Sequence, residues 1–320
     1  MKPEQIQAAA DELLNIIQTT SQPANEVINK YTRARRYIGS KDRRQLTDLV
    51  WQTIRACPTP LWLKDYIGED ELQAMQQEAP IVLRANGNRA QIQKILHEQG
   101  IETLLTKLSP LGLILTKRIN LHTIPAYQQG LIEVQDEGSQ LVALATNIKP
   151  NETVLDYCAG AGGKSLCFAQ MMHNQGVIIA HDVSKISLQE LKKRATRAKI
   201  NIIRTTLTPT GLFQHVVVDA PCSGSGTWRR AADARLKCTE KILMVLIKKQ
   251  SQILKEASAF VQIHGYLHYM TCSLIQEENQ KQMQFFLKKH PNFKLIHHQQ
   301  WSPVKTQTDG FFLATFQRVT

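Results

Sequence analysis

The chain has 320 residues, 42% hydrophobic and 21% charged, a length that predicts one catalytic domain with one or two small accessory regions. No apolar run approaches the roughly eighteen residues needed to cross a membrane, which excludes a membrane-spanning protein. The formal net charge of +12 favours a polyanionic partner, because clustered lysines and arginines release counterions from phosphates.

Residues 1–78 are predicted to form a helical region that could bind a polyanion. Between residues 3 and 55 apolar side chains recur at helical spacing, and a break at Gln22 and Pro23 separates two helical runs. Seven basic residues crowd fifteen positions against one Asp42: Lys30, Arg33, Arg35, Arg36, Lys41, Arg43 and Arg44. This crowding fits either a face that tracks phosphates or an ordinary solvated helix surface. If the face tracks phosphates, we expect Arg33, Arg35 and Arg36 to make the contacts.

Residues 79–146 are predicted to form a small α+β unit. Its predicted elements are strands at 81–84, 113–115 and 130–134 and helices at 91–99 and 136–145. The sequence pattern changes at a predicted turn formed by Lys149, Pro150 and Asn151. We place a domain boundary near them, between residues 146 and 147.

From residue 153 onward, β-rich apolar runs alternate with helical ones. The predicted strands and helices are 153–157 with 165–173, 176–183 with 188–199, 213–219 with 240–261, and 265–270 with 277–290. This alternation predicts an α/β domain with a doubly wound, mostly parallel sheet and helices on both faces. Two last strands, near 293–297 and 311–316, are expected to form an antiparallel end pair. Ligands of such sheets bind at the carboxyl ends of the strands.

A glycine-rich loop follows the first strand of this domain and runs directly into a helix. It consists of Cys158, Ala159, Gly160, Ala161, Gly162, Gly163 and Lys164. Glycine lets the backbone turn tightly and approach a ligand, and the following helix offers unpaired backbone N–H groups. The loop therefore fits a nucleotide-like cofactor, although a tight turn without any function would also use glycines. Its spacing is not that of a Walker A loop, which disfavours phosphate hydrolysis.

Three other strand ends carry carboxylates or thiols. Asp182 follows the second strand, where an acidic residue usually holds ribose hydroxyls, but it could instead cap the helix that begins at Ser184. Asp219 and Cys222 follow the next predicted strand, and Cys272 follows the one after it. A single cysteine is more often a small buried hydrophobe. Two strand-end cysteines on neighbouring strands, however, could converge on one substrate.

The remaining cysteines and histidines carry no metal signature. The six cysteines have no tight pairs, the ten histidines are scattered, and adjacent His297 and His298 lack a third ligand. We predict no metal and free thiols in a reducing cytoplasm. No secretory leader is recognisable in residues 1–10, so a cytoplasmic protein is expected, and we expect it to be a monomer.

These motifs resemble those of the RsmB-type (Fmu/Sun, nucleolar-protein-related) family of RNA cytosine-C5 methyltransferases from about Val134 onward. The matching segments, in order, are 134–140, 158–164, 219–224, 271–273 followed by 277–279, and 309–312. Upstream, 35–55 and 83–86 are similar to shortened versions of the family's helical and substrate-facing segments. The resemblance implies a Rossmann-like class I methyltransferase domain over residues 147–320. It also implies S-adenosylmethionine as cofactor and RNA, with rRNA favoured, as partner.

The resemblance further assigns the cofactor contacts. The 158–164 loop would wrap the methionine and adenosyl portions of S-adenosylmethionine, Asp182 would hold the ribose, and Asp219 would lie between cofactor and base. Family members usually carry an acidic residue after the third strand to contact adenine, but no Asp or Glu occurs between Glu190 and Asp219. We therefore expect modest cofactor affinity that depends on Asp182.

The resemblance assigns the reaction to three side chains. Carbon 5 of cytosine is too poor a nucleophile to take a methyl group directly, but thiolate addition at carbon 6 makes it enamine-like. Cys272 would supply this thiolate, Asp219 would protonate or hydrogen-bond nitrogen 3, and Cys222 would act in product release. Arg229 and Arg230, beside the Cys222 loop, are expected to hold RNA in reacting geometry.

Two alternatives stay open from the sequence. A DNA cytosine-C5 methyltransferase shares the thiolate chemistry, but its nucleophile lies in the Pro-Cys loop, and residues 271–273 favour RNA. A non-catalytic RNA-binding or ribosome-assembly factor on a methyltransferase scaffold is favoured by the missing acidic residue. Retention of Cys222, Cys272 and Asp219 favours the enzyme, because a decayed site loses its activating groups first.

Overall fold

The computed structural model describes residues 1–20 and 22–320, and its amino-terminal region is helical. The helices are α1 (Pro3–Thr19), α2 (Ala24–Ala34), α3 (Ser40–Ala56) and, after a 3-10 turn at Leu61–Asp65, α4 (Glu69–Ala74). The second predicted helical run is therefore two helices. Ile38, in the link between α2 and α3, is buried with the apolar faces of α1 to α3, so the chain turns there to bring all three helices onto one core.

A four-stranded antiparallel sheet forms the next unit. Its elements are β1 (Val82–Ala85), α5 (Arg89–Glu98), β2 (Thr103–Leu105), β3 (Gly112–Leu115), α6 (Pro125–Gln128) and β4 (Ile132–Val134). The strand order is β2-β3-β1-β4. Strand β2 was not predicted, because it is a three-residue edge strand with only Thr103 buried and offers no readable alternation.

Helix α7 (Glu137–Leu144) connects this unit to the large sheet. The Asp136 side chain caps it by accepting a hydrogen bond of 2.7 Å from the N–H of Gly138. Val142 and Ala143 are buried in a core that also contains residues of the large sheet. Although α7 precedes the predicted boundary at residues 146 and 147, it therefore packs with the sheet that follows.

The carboxyl-terminal part contains a seven-stranded sheet of order β10-β11-β9-β8-β5-β6-β7. Its elements, in chain order, are β5 (Thr153–Asp156), α8 (Gly163–Met171), β6 (Val177–His181), α9 (Lys185–Arg197), β7 (Ile203–Thr206), β8 (Phe213–Asp219), α10 (Ala232–Lys237), α11 (Glu240–Ser258), β9 (Val261–Thr271), α12 (Gln280–Lys289), β10 (Phe293–Trp301), α13 (Pro303–Thr306) and β11 (Phe311–Arg318). Strands β5 to β9 pair in parallel, and β10 and β11 form the predicted antiparallel end pair. The α/β, doubly wound, Rossmann-like fold is confirmed.

Neighbouring side chains of β5 point into different cores, as a double-wound sheet requires. Leu155 packs with residues of α11 and α12, whereas Val154 packs with residues of α7 and α8. The sheet is thus covered on both faces, which explains the nearly continuous apolar runs of its central strands. Strand β5 lies between β6 and β8, and this is the point at which strand order reverses. Ligands of doubly wound sheets bind in the crevice at this point.

Several boundaries in this part differ from the prediction. The helix expected over 240–261 ends at Ser258, and Val261 begins β9, because a short apolar run does not by itself separate a helix end from a strand start. Edge strand β7 and the short helix α10 were not predicted; in β7 no residue is fully buried. In the described ranges, 1–20 and 22–320, no helix has the length and apolar character needed to cross a membrane.

Candidate active site

The glycine-rich loop lies at the switch point, between the end of β5 and the start of α8. Gly160 and Gly162 adopt φ values of 54° and 86°, which L side chains rarely tolerate. A Cβ on Gly162 would also lie 2.5 Å from Cγ of Leu191 in α9. The loop closes with a hydrogen bond of 2.9 Å from the Gly162 N–H to the Ala159 carbonyl. The glycine at position 162 is therefore required both by backbone conformation and by the approach of α9.

Two arginines hold the carbonyl groups of this loop. Arg84 of β1 is fully buried and donates from Nη1 to the Gly163 carbonyl at 3.0 Å. Arg194 of α9 donates to the Ala161 carbonyl at 2.7 Å and also binds Glu133 of β4 at 3.0 Å. Both contacts connect the loop to the small antiparallel sheet. Sequence reasoning missed these residues, because the partners are separated by 79 and 33 positions and no local motif marks them.

A cavity of about 480 Å³ opens beside the loop, at the carboxyl ends of β5, β6 and β8 and against α11. Its lining includes Tyr157, Cys158, Asp182, Val183, Asp219, Pro221 and Ile253. The predicted ribose ligand and one end of the predicted loop thus face the same space. Burial, followed by the nearby Asp156, raises the pKa of Cys158, so this thiol lines the cavity in its neutral form.

Asp182 uses both carboxylate oxygens to fix the cavity wall. Oδ2 accepts from the N–H of Gly160 and Oδ1 from the N–H of Ser184, each at 2.8 Å. Helix α9 is capped by Ser184, whose Oγ accepts from the N–H of Ser187. The capping role that was an alternative for Asp182 is thus carried out by Ser184. Asp182 bridges the glycine loop to the start of α9 while facing the cavity.

The two strand-end cysteines meet across neighbouring strands. The Sγ atoms of Cys222 and Cys272 are 3.4 Å apart. The Cys222 loop is tied to β9 by a hydrogen bond of 2.9 Å from the N–H of Gly226 to the Cys272 carbonyl. A Cβ on Gly226 would lie 2.1 Å from the carbonyl oxygen of Gly310, so this close passage of two backbones needs glycine.

A buried carboxylate, Glu278, organises the residues next to both cysteines. It accepts from the N–H of Ser223 at 2.8 Å and from the hydroxyls of Ser223 and Ser273, each at 2.5 Å. Asn279 binds the hydroxyl of Thr271 and donates to the Ser273 carbonyl at 2.8 Å. From the sequence, Glu278 and Asn279 were predicted only as part of a segment that resembles the family, without a role. Glu278 therefore holds the two cysteine-bearing turns together, and Asn279 fixes the turn that carries Cys272.

Lys164 and Asp219 form an ion pair in the same crevice. Nζ lies 2.6 Å from Oδ2 of Asp219, and the lysine side chain is only 10% exposed. Burial alone would lower the pKa of Lys164, but Asp219 and, to a lesser extent, Cys272 raise it above its usual value. Asp219 therefore holds the lysine as a fixed cation. The sequence placed Lys164 only in the cofactor loop.

The pKa of Cys222 is raised, first by the hydrogen bond with Cys272, then by burial and by the charge of that same neighbour. The geometry thus favours a neutral Cys222 as long as Cys272 is free.

Residues 143–317 match the family model described as 16S rRNA methyltransferase RsmB/F. The chain belongs to the RsmB/F family. A probable ribosomal RNA small subunit methyltransferase B of Synechocystis sp. is 30% identical over 297 residues, covering 81% of this chain and 66% of the relative. One of the same description from Bacillus subtilis is 35% identical over 177 residues, covering 52% of this chain and 40% of the relative.

A solved structure supports the same family fold. A methyltransferase homologue protein of Pyrococcus horikoshii is 25% identical, with a TM-score of 0.71, covering 83% of this chain and 97% of its own. This RsmB/F chain spans less than two thirds of the length of the two curated relatives above, 66% and 40%.

The arginine pair beside the Cys222 loop corrects one sequence expectation for this RsmB/F chain. Arg229 is buried, and its Nε donates to Oδ1 of Asp309 at 2.7 Å. Arg230 binds both Asp309 and Asp136 at 2.5 Å and is partly exposed. The expected RNA contact by Arg229 conflicts with this arrangement, because its guanidinium is buried and already neutralises a buried carboxylate. The pair instead anchors the loop to the cap of α7 and to the turn before β11. An RNA contact by the partly exposed Arg230 stays a prediction.

The amino-terminal arginines are arranged differently. Arg33 and Arg36 are exposed at the end of α2 and in the link after it. Arg35 lies over the Tyr31 ring at 3.6 Å and pairs with Glu12 at 2.8 Å. An RNA contact by Arg33 and Arg36 therefore stays a prediction, whereas Arg35 already has two internal partners. Within the described part of the chain, no group of three or more His, Cys, Asp or Glu side chains is placed to hold a metal ion.

Proposed function

We propose that this chain transfers a methyl group from S-adenosylmethionine to carbon 5 of a cytosine in rRNA through a covalent bond between Cys272 and the base. The observation that carries the proposal is the 3.4 Å separation of the Cys222 and Cys272 sulfurs at the carboxyl ends of neighbouring strands. Family membership and relatives described as ribosomal RNA small subunit methyltransferase B support the substrate class.

The cavity beside the glycine loop fits the proposed cofactor. It combines the Asp182 carboxylate, suited to hydroxyl groups, with the apolar surfaces of Val183, Pro221 and Ile253, suited to a flat heterocycle. Its volume of about 480 Å³ lies within the roughly 300–1,000 Å³ typical of small-ligand pockets. When bound, S-adenosylmethionine supplies an electrophilic methyl group. The loop residues 158–164 and Asp182 would hold it.

Cys272 would begin the reaction. Its sulfur forms a bond to carbon 6, and the electron pair of the ring's carbon 5–carbon 6 double bond makes carbon 5 nucleophilic. The Lys164–Asp219 pair would hydrogen-bond the ring as its negative charge develops.

Cys222 would act in release. A proton must leave carbon 5 after methylation, and its electron pair restores the double bond as the bond from Cys272 to carbon 6 breaks. Once the Cys272 sulfur is bonded to carbon, it is no longer a charged hydrogen-bond partner, so two of the four causes that raise the Cys222 pKa are gone. Cys222 then becomes a better base for that proton.

Two variants test this division of roles. Cys272→Ala should abolish methyl transfer while S-adenosylmethionine still binds, because no thiolate can add to carbon 6. Cys222→Ala should form the RNA adduct and release it poorly, giving a shifted protein band on a denaturing gel. Turnover by Cys272→Ala would refute the nucleophile, and a shifted band from Cys272→Ala instead would exchange the two roles.

Cofactor binding separates the proposal from its alternative. Calorimetry on the wild type should detect S-adenosylmethionine, and Asp182→Ala should weaken it. The missing acidic residue between Glu190 and Asp219 is the feature that favours a non-catalytic RNA-binding or assembly factor. A wild type that binds no S-adenosylmethionine would support that alternative, and unchanged affinity in Asp182→Ala would remove the ribose role.

A further inference from the structure

A second cavity, of about 530 Å³, lies where the amino-terminal helices meet the small antiparallel sheet and the Cys222 loop. Part of its wall is one face of α3, formed by Asp48, Trp51, Gln52 and Arg55. These positions are spaced i, i+3, i+4 and i+7, so their side chains share one side of the helix. The helix buries Leu46 and Ile54 on its other side. The open face of α3 is therefore polar and aromatic.

The facing wall is assembled from other parts of the chain. Glu78 and Arg118, which pair with each other, come from segments flanking β1 and β3, and Arg230 comes from the Cys222 loop. Arg230 is bound to Asp136 and Asp309. Three regions of the protein thus border one cavity, and two of its arginines already have carboxylate partners.

Arg55 is different from those two arginines. Its Nε is buried and has no hydrogen-bond partner in residues 1–20 and 22–320. Burial, followed by the charge of Arg118, lowers the pKa of the Arg55 guanidinium. A partly buried cation with an unused donor and a second cation nearby is stabilised by an anion that binds both. Trp51 lies beside it, with the Arg55 guanidinium 5.8 Å from the ring centre.

We propose that this cavity binds one nucleotide of a single-stranded RNA, with a backbone phosphate on Arg55 and Arg118 and the base against Trp51. The inference rests on the proposed function, because it takes RNA as the substrate. Aromatic rings with adjacent guanidinium groups bind unpaired bases and phosphates without reading sequence. The site therefore anchors the strand that carries the target cytosine and does not select the base.

A path from this cavity to the reactive cysteines runs past two chain segments. A smaller cavity of about 350 Å³ is lined by Pro23, Ala231 and Cys222. The nucleotide cavity is lined by Asn25 and Arg230, which are near neighbours of Pro23 and Ala231 in the sequence. The same two segments therefore border both cavities. A strand that occupies the nucleotide cavity can continue along them toward Cys222.

Fluorescence anisotropy with a labelled single-stranded oligoribonucleotide of uridine and cytidine tests the site. Arg55→Gln should weaken binding several-fold and reduce the slope of log affinity against log salt by about 0.7, the value for one lost phosphate contact on a single strand. Trp51→Ala should weaken binding about fivefold or more through lost stacking. Asp48→Asn should strengthen binding, because it removes a negative charge from the same wall.

The controls make each result decisive. Arg204→Gln removes an exposed arginine from edge strand β7 and should leave binding unchanged. Asp48 is exposed, so Asp48→Asn keeps the test valid even if Arg55→Gln does not fold. Wild-type affinity and salt slope in both the Asp48 and Arg55 variants would overturn the site. If the wild type transfers methyl groups but the cavity variants bind RNA as the wild type does, only this site is refuted. If the wild type binds RNA but transfers no methyl group, only the proposed catalysis is refuted.

Discussion

Arginine has different roles in the two halves of this molecule. Near the glycine loop and the cysteines, Arg84 and Arg229 are buried and bind a backbone carbonyl and a carboxylate. In the amino-terminal helices, Arg33 and Arg36 are exposed. A net charge of +12 therefore overstates the basic surface that can meet RNA, because several of its cations hold the catalytic half together. Burial, which charge alone does not report, separates structural arginines from candidate RNA contacts.

The largest expected effect comes from removing a buried arginine. Arg229→Ala leaves the Asp309 carboxylate buried and less well paired, so the free energy of unfolding should fall by about 3–5 kcal/mol. Arg33→Ala, at an exposed site, should change it by about 0.5 kcal/mol or less. Denaturant titration of both variants measures the contrast. Equal stabilities would erase the distinction between the two classes of arginine.

Asp156 extends the comparison to a buried acid. Burial, only partly offset by the hydrogen bond from Ser165, raises its pKa to about 7. Between pH 3.8 and about 7, the folded state therefore keeps a proton on Asp156. The unfolded state, in which the pKa is the ordinary value near 3.8, has already lost this proton. Stability from this group is present at low pH and is lost as pH rises toward 7, by on the order of 2 kcal/mol between pH 5 and 7.

Asp156→Asn has no such proton to lose. The free energy of unfolding of the variant, relative to the wild type, should therefore increase as pH rises from 5 to 8. Denaturant titrations at several pH values measure this difference. A difference that is constant with pH would show that Asp156 does not titrate in this range.

Arg84 should affect cofactor binding with little effect on chemistry. Arg84→Gln removes a charged hydrogen bond to the Gly163 carbonyl, so the S-adenosylmethionine Kd should rise about tenfold, with kcat at saturating cofactor nearly unchanged. Arg89→Gln is the matched control, because Arg89 belongs to the same unit but binds the Ser109 carbonyl. If both variants raise the Kd equally, Arg84 acts by stabilising the small antiparallel unit and has no specific effect on the glycine-rich loop.

The exposed arginines should give the smallest effect, confined to RNA binding. Changing Arg33, Arg35 and Arg36 to Gln should reduce the salt slope by roughly 0.7–0.9 per lost phosphate contact, with the rate at saturating RNA unaffected. Because Arg35 is already paired with Glu12, the Arg33 and Arg36 double variant should show most of the change. Filter binding across a salt series measures it, and an unchanged slope would make this cluster an ordinary solvated surface.

The features that local pattern could reveal were predicted from the sequence. The alternation of strands and helices predicted the doubly wound sheet, and glycines after an apolar strand predicted the turn at residues 158–164. The same reasoning placed Cys222 and Cys272 at the ends of neighbouring strands. These features depend on backbone geometry and side-chain periodicity within a few residues, so they can be read along the chain.

Tertiary structure alone decided which polar groups meet. Lys164 and Asp219 are 55 positions apart, Arg229 and Asp309 are 80 apart, and Ser223 and Glu278 are 55 apart. No period or motif links such residues, because their contact depends on strand order and on how the loops pack. For this reason the sequence predicted an RNA contact for Arg229, where folding instead pairs it with a buried carboxylate.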